Sequence, residues 1–81
     1  MEAFRLMRLV KEIANINSKL FNQIKRNDDV DAKLDRRSHV IAKEILSAIP
    51  ASAKEEFEIF LYTVRTEEEM QSLIKRLIPL L

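Results

Sequence analysis

Residues 3–24, AFRLMRLVKEIANINSKLFNQI, decide the fold class. Two heptad rows run through this one stretch. Leu6, Leu9, Ile13, Ile16 and Leu20 are spaced 3-4-3-4, and Ala3, Met7, Val10, Ala14, Asn17, Phe21 and Ile24 are spaced 4-3-4-3. Both spacings follow the helical period, so the segment reads as one amphipathic helix. With Leu6 at heptad position a, apolar residues fill a, b, d and most of e, while charged and amide residues fill c, f and g. A two-chain seam needs only a and d. An apolar arc roughly twice that width predicts partners on two sides of the helix.

Working outward, the helix is expected over about Glu2–Arg26. No Pro or Gly interrupts it, Lys25 and Arg26 suit the negative end of its dipole, and Asn27 supplies a left-handed stop. Such a helix rises about 37 Å, whereas a compact chain of this length is about 30 Å across. Either the molecule is elongated or a second copy covers the overhang. Residues 27–37, NDDVDAKLDRR, are the most polar stretch and the best candidate for a connection, yet Val30 and Leu34 keep a helical spacing. A loop of a few residues is expected around Asn27–Asp29, with Asp28 or Asp29 as an N-cap and helical character strengthening towards Ser38.

Beyond it, Ile41, Ile45, Ala48 and Ile49 line one face until Pro50 drives Ile49 out of the helical basin. Ser52–Glu55 and Thr66–Glu69 both have capping-box spacing, the second starting a fourth helix or bending the third. Phe57, Phe60, Leu61 and Val64 form one stripe, and Met70, Leu73, Ile74, Leu77 and Ile78 form another that ends at Pro79. The apolar run LIPLL at 77–81 is expected to dock. The expected fold is all-α, a single domain over residues 1–81 with three to four helices. A long N-terminal helix (about 2–26) joins through a connection (about 27–37) to a helical hairpin or bundle (about 38–81).

Composition narrows the function. The chain has no glycine, where about six would be average, so phosphate-cradling loops and nucleophile elbows have no material. It has no cysteine, hence no disulfide, thiolate metal site or redox centre. Hydrophobic residues make up 47% of it, too many for disorder. No apolar run is long enough to span a membrane, and charges interrupt the first residues too often for a signal peptide, so an intracellular setting is expected.

His39 is the only histidine and lacks the companions a zinc site needs, which leaves it as a pH-sensitive surface group. The acids Asp28, Asp29, Asp31, Asp35, Glu55, Glu56 and Glu58 read as caps and solvated faces. DDVDAKLD lacks the glycine and the closing glutamate of a calcium loop. No nucleophile–base or metal set emerges, so no catalytic, cofactor-binding or metal-ligating residue is expected, and no enzyme.

What remains is association. Residues 1–43 hold ten Lys/Arg against six Asp/Glu, a balance of +4, while residues 44–81 hold four against seven, a balance of −3. The halves can attract each other within one chain or between two. The expected interface is Leu6, Leu9, Ile13, Ile16 and Leu20, helped by Phe21, Phe57, Phe60, Leu77 and Leu81. The row through Met7, Val10, Phe21 and Ile24 is assigned to the fold instead. Asn17 either fixes the register of a seam at some cost or sits at the stripe's edge and reaches water. Tyr62 falls off the main stripe and offers a usable hydroxyl. A homodimer is the first expectation. Two alternatives are a small nucleic-acid-binding regulator using Arg5, Arg8, Lys11, Lys19, Lys25 and Arg26, and a heteromeric adaptor or inhibitor that binds a partner helix.

Residues 38–65, SHVIAKEILSAIPASAKEEFEIFLYTVR, combine an apolar helix, an Ile-Pro break at Ile49-Pro50, and the run Phe57, Phe60, Leu61, Val64. This pattern resembles the BESS motif, the short C-terminal self-association module of insect MADF-type transcription regulators. The resemblance covers about a third of the chain. It departs from the family where AKEEFE is more acidic than usual and where the acidic lead of the first helix is missing. It implies protein–protein contacts, homodimers among them, beside a separate DNA-binding domain in a nuclear regulator; without it, a cytoplasmic setting is expected.

Overall fold

The long helix forms as its period dictates. A computed structural model describes residues 1–81: α1 spans Ala3–Lys25, α2 Ala32–Leu46, α3 Ala51–Thr63 and α4 Glu67–Leu77, with a closing 3₁₀ turn at Ile78–Leu80. The chain is all-α, and α1 packs against α2, α3 and α4. No helix is long and apolar enough to cross a membrane. The molecule measures 38 × 22 × 20 Å. Its long dimension accommodates the 23 residues of α1, about 35 Å at the helical rise. Elongation thus answers the length of α1, and a second copy is not needed to cover it.

Local chemistry sets each boundary. Asn27 takes a left-handed conformation, φ 64°. The amide of Asp28 donates to the Gln23 carbonyl at 2.9 Å and that of Asn27 to Ile24 at 3.1 Å, a complete Schellman ending built on asparagine. The loop after α1 is short, and α2 starts at Ala32, so most of residues 27–37 is already helical. Asp31, rather than Asp28 or Asp29, is its N-cap and accepts from the amides of Lys33 and Leu34. Ser38 lies inside α2, buried, with its hydroxyl donating to the Asp35 carbonyl at 2.7 Å.

The two capping-box spacings part ways. At Thr66 the box forms in both directions, Glu69 N–H to Thr66 Oγ1 at 3.1 Å and Thr66 N–H to Glu69 Oε1 at 3.0 Å, and it opens a separate α4. At Ser52 it does not form. Pro50, with φ −59° and ψ 145°, is itself the N-cap, and α3 begins at Ala51, leaving Ser52 one residue inside the helix. Proline's fixed φ starts the helix two residues before the serine can cap it.

Two ion pairs record how α1 meets α2. Arg5 pairs with Glu44, and Glu12 takes a two-pronged contact from Arg37 at 2.7 and 3.2 Å. Seven residues forward on α1 correspond to seven back on α2, the mark of antiparallel packing. Between the helices lies the core, with Leu6, Val10, Ile13, Ile41, Ala42, Ile45, Leu61 and Leu77 all sealed from solvent.

That core takes up the row of α1 expected to face a partner. Leu6, Leu9, Ile13 and Ile16 are buried within the single chain, as are Phe57 and Leu77, and Leu20 is half-buried. The buried ones cannot meet a second copy without unfolding the first, and Leu20 keeps only partial exposure. On the other row Val10, Ala14 and Asn17 are buried, but Met7, Phe21 and Ile24 near the two ends stay exposed. The covering helices are shorter than α1, so they close over its middle and leave apolar residues uncovered towards the ends.

Candidate interaction surface

Exposed apolar side chains gather where α1 and α4 run side by side. Phe4 (66% exposed) and Met7 (45%) come from α1, and Ile78 follows the end of α4. Half-buried Met70 and Ile74 lie between them on α4. Phe4, Met7, Met70 and Ile74 line a groove of about 230 Å³ whose polar members are Arg8, Lys11, Glu67 and Gln71. A shallower continuation runs past Ser72 and Lys75 to Ile78. Cations therefore stand on the α1 side of the groove and a glutamate at the start of the α4 side. The stripe on α4 is two rows wide: Leu73 and Leu77 turn into the core, while Met70, Ile74 and Ile78, spaced by four, line the groove.

Of the expected interface residues, Phe21, Phe60 and Leu81 keep substantial exposure, and the structure does not bring Phe21 and Phe60 into one patch. Phe21 carries the Arg65 guanidinium 3.7 Å from its ring centre. Phe60 packs 6.3 Å from Phe57, and Arg76 lies over both rings while pairing with Glu56. Leu77 anchors the apolar tail in the core and Leu80 is half-buried, so LIPLL is docked in part.

The groove residues Phe4, Met70, Ile74 and Ile78 are not among the interface residues expected from the sequence. A signal existed in Phe4, an aromatic ring on the c/f/g face otherwise given to charge, and in the five-residue breadth of the α4 stripe.

Asn17 neither reaches out at an edge nor meets a second helix of the same kind. It is buried, and its Nδ2 donates at 2.9 Å to the carbonyls of both Leu61 and Val64. Those carbonyls lie at the C-terminal end of α3, where the helix leaves acceptors unmatched. One amide on α1 thus caps α3 and sets how the two helices register.

Beside it, the Tyr62 hydroxyl lies 2.7 Å from His39 Nδ1, and Asp35 Oδ2 is 3.6 Å from His39 Nε2. Burial pushes the Tyr62 phenol above its usual range, with Glu58 and Asp35 adding to the effect. A phenol held protonated is a hydrogen-bond donor, not a nucleophile. His39 thus bridges Tyr62 on α3 and Asp35 on its own helix.

Several of the basic residues on α1 have neighbours of their own. Arg5 is paired with Glu44, Arg26 lies 3.8 Å from Asp28, and Arg8 and Lys11 border the apolar groove. No family model, no curated protein and no solved structure matches this chain.

Proposed function

We propose that the chain is a protein–protein interaction module that pairs with a second copy of itself through the α1/α4 groove. The observation that carries this reading is the apolar strip of Phe4, Met7, Met70, Ile74 and Ile78, bordered by Arg8 and Lys11 on one side and Glu67 on the other. Contiguous exposed apolar residues with a polar rim are the usual form of an association surface. The charges make it complementary to itself. A two-fold axis running along the groove sets the cations of one α1 opposite the Glu67 of the other chain, and the reverse. The resemblance of residues 38–65 to a self-association module suggests a regulatory, transcription-associated protein. Those residues lie outside the groove, and Ile49, Phe57, Leu61 and Val64 are buried, so the pairing surface rests on the strip alone.

Light scattering on the purified chain tests it. At about 100 μM, a concentration that reveals contacts of micromolar strength, the expected mass is twice the 9.5 kDa of the chain. Met7→Glu and Ile78→Glu, both at exposed positions, should return it to a monomer with an unchanged helical spectrum. A monomer at every concentration rejects self-pairing and leaves the groove to a different protein, as in an adaptor or inhibitor.

A further inference from the structure

A second groove lies between the last turns of α1 and the neighbouring faces of α2 and α3. Its wall is apolar, Leu20, Phe21 and Ile24, and it encloses about 390 Å³, within the range of small-ligand clefts. The polar groups around it have their hydrogens committed elsewhere. Ser38 donates to the Asp35 carbonyl at 2.7 Å, Thr63 to the Ile59 carbonyl at 3.0 Å, and Tyr62 is engaged with His39. Their oxygens remain acceptors, and Asp35 also lines the groove, with its carboxylate 3.6 Å from His39 Nε2. The one cation there, Arg65, is stacked on Phe21.

Asn17 is the decisive member. It is more than nine-tenths buried, and its nitrogen is held on two carbonyls, which settles which end of the amide is oxygen. That oxygen has no protein donor, yet no side-chain polar atom of the chain is sealed away without a partner. Asn17 lines the groove, so its Oδ1 opens there as an unmatched acceptor. An acceptor open to the groove and unmatched by any protein donor favours a ligand that brings hydrogens.

We propose that this groove binds a primary ammonium carried on an apolar stem. The ammonium has three donors and no acceptor; it meets Asn17 Oδ1 and the Asp35 carboxylate while the stem lies on Leu20, Phe21 and Ile24. An anionic ligand would face Asp35 and acceptor oxygens. Small arylalkyl amines and the lysine side chain of a protein share this chemistry.

Titration of the ¹⁵N-labelled chain, followed by NMR, tests the site with three probes: 2-phenylethylammonium, its neutral counterpart 2-phenylethanol, and Nα-acetyl-lysine methylamide. The ammonium should shift the Asn17 side-chain amide and the backbone amides of Phe21, Asp35 and Thr63 saturably, and the alcohol should bind at least about tenfold more weakly, the factor that 1.4 kcal/mol represents. Shifts at the same amides from the lysine probe point to a protein source, and their absence to a small amine. Asp35→Asn should weaken the ammonium about tenfold. Ile24→Lys, at an exposed position, places a resident cation at the wall and should weaken it likewise, covering the case in which Asp35→Asn perturbs α2. Equal response to amine and alcohol, unchanged affinity in both variants, or no saturable shift at these amides overturns the proposal.

Discussion

Asn17 shows how one residue in an apolar row specifies more than burial. Its amide satisfies the Leu61 and Val64 carbonyls at once, so a side chain of similar shape without donors leaves two acceptors unmet near the core. Asn17→Leu is therefore expected to destabilise the chain by about 2–3 kcal/mol, read from urea unfolding with an unchanged slope. Ile13 makes a sharper distinction. If its row packed between chains, Ile13→Asp would give a folded monomer. With Ile13 sealed inside one chain, a buried carboxylate has no partner, and the cost of several kcal/mol rivals the whole stability of a small domain. Circular dichroism at 25 °C should show loss of helix; a fully helical monomer would contradict the core described above. The position of Asn17 within a stripe was legible from spacing alone. Its partners were not, because they lie 44 and 47 residues away, and helical periodicity carries no information about which helices meet.

At the scale of the elements, periodicity located the helical stripes but left open whether the last was a fourth helix or a bend in the third. The chemistry of the ends decided where each helix starts. Ser52 and Thr66 sit at the same spacing from a glutamate, yet only Thr66 caps. What differs is Pro50, which begins α3 ahead of the serine. Likewise Asp31 is the cap rather than Asp28, whose amide closes the Schellman turn of α1, or Asp29, which follows it. Thr66→Ala should cost about 1 kcal/mol, visible as a lower melting temperature, whereas Ser52→Ala should cost no capping energy. The same box responds to acid. Hydrogen bonds from the backbone and side chain of Thr66 hold the Glu69 carboxyl below its usual range, and the Arg37 hydrogen bond does the same for Glu12. A carboxyl with a lowered folded pKa stabilises above its unfolded pKa and loses that contribution as pH falls through the folded one. Melting temperature should therefore fall as pH drops from about 5 towards 2, and Glu69→Gln should flatten part of that decline. Both carboxyls face solvent, so the acid effect should be modest and smaller in high salt.

At the scale of the whole molecule, the doubled apolar arc of α1 is divided along the helix axis as much as around it. Its middle is spent on α2, α3 and α4, and part of the excess survives near the N-terminal end, where Phe4 and Met7 meet the outer row of α4. The charge asymmetry divides in the same way. Arg5–Glu44 joins the two halves within the chain, while Arg8 and Lys11 face Glu67 across the groove with no ion pair formed between them. Those charges are free to choose a partner chain, and a two-fold contact makes a specific demand on them. In a Lys11→Glu homodimer, two glutamates meet at each crossing; in a Glu67→Lys homodimer, two lysines meet. Each variant alone should dimerise several-fold more weakly than the parent at low salt, since like charges in direct opposition are unfavourable. Mixed in equal amounts, the two variants set the introduced glutamate of one chain against the introduced lysine of the other. The Glu67 that the first variant keeps then faces the Lys11 that the second keeps, so both crossings are attractive again. Sedimentation equilibrium should show the mixture recovering the mass that neither variant reaches alone, and the recovery should fade as salt rises. A mixture no heavier than its components would mean that these charges do not face each other between chains, whatever the apolar strip binds.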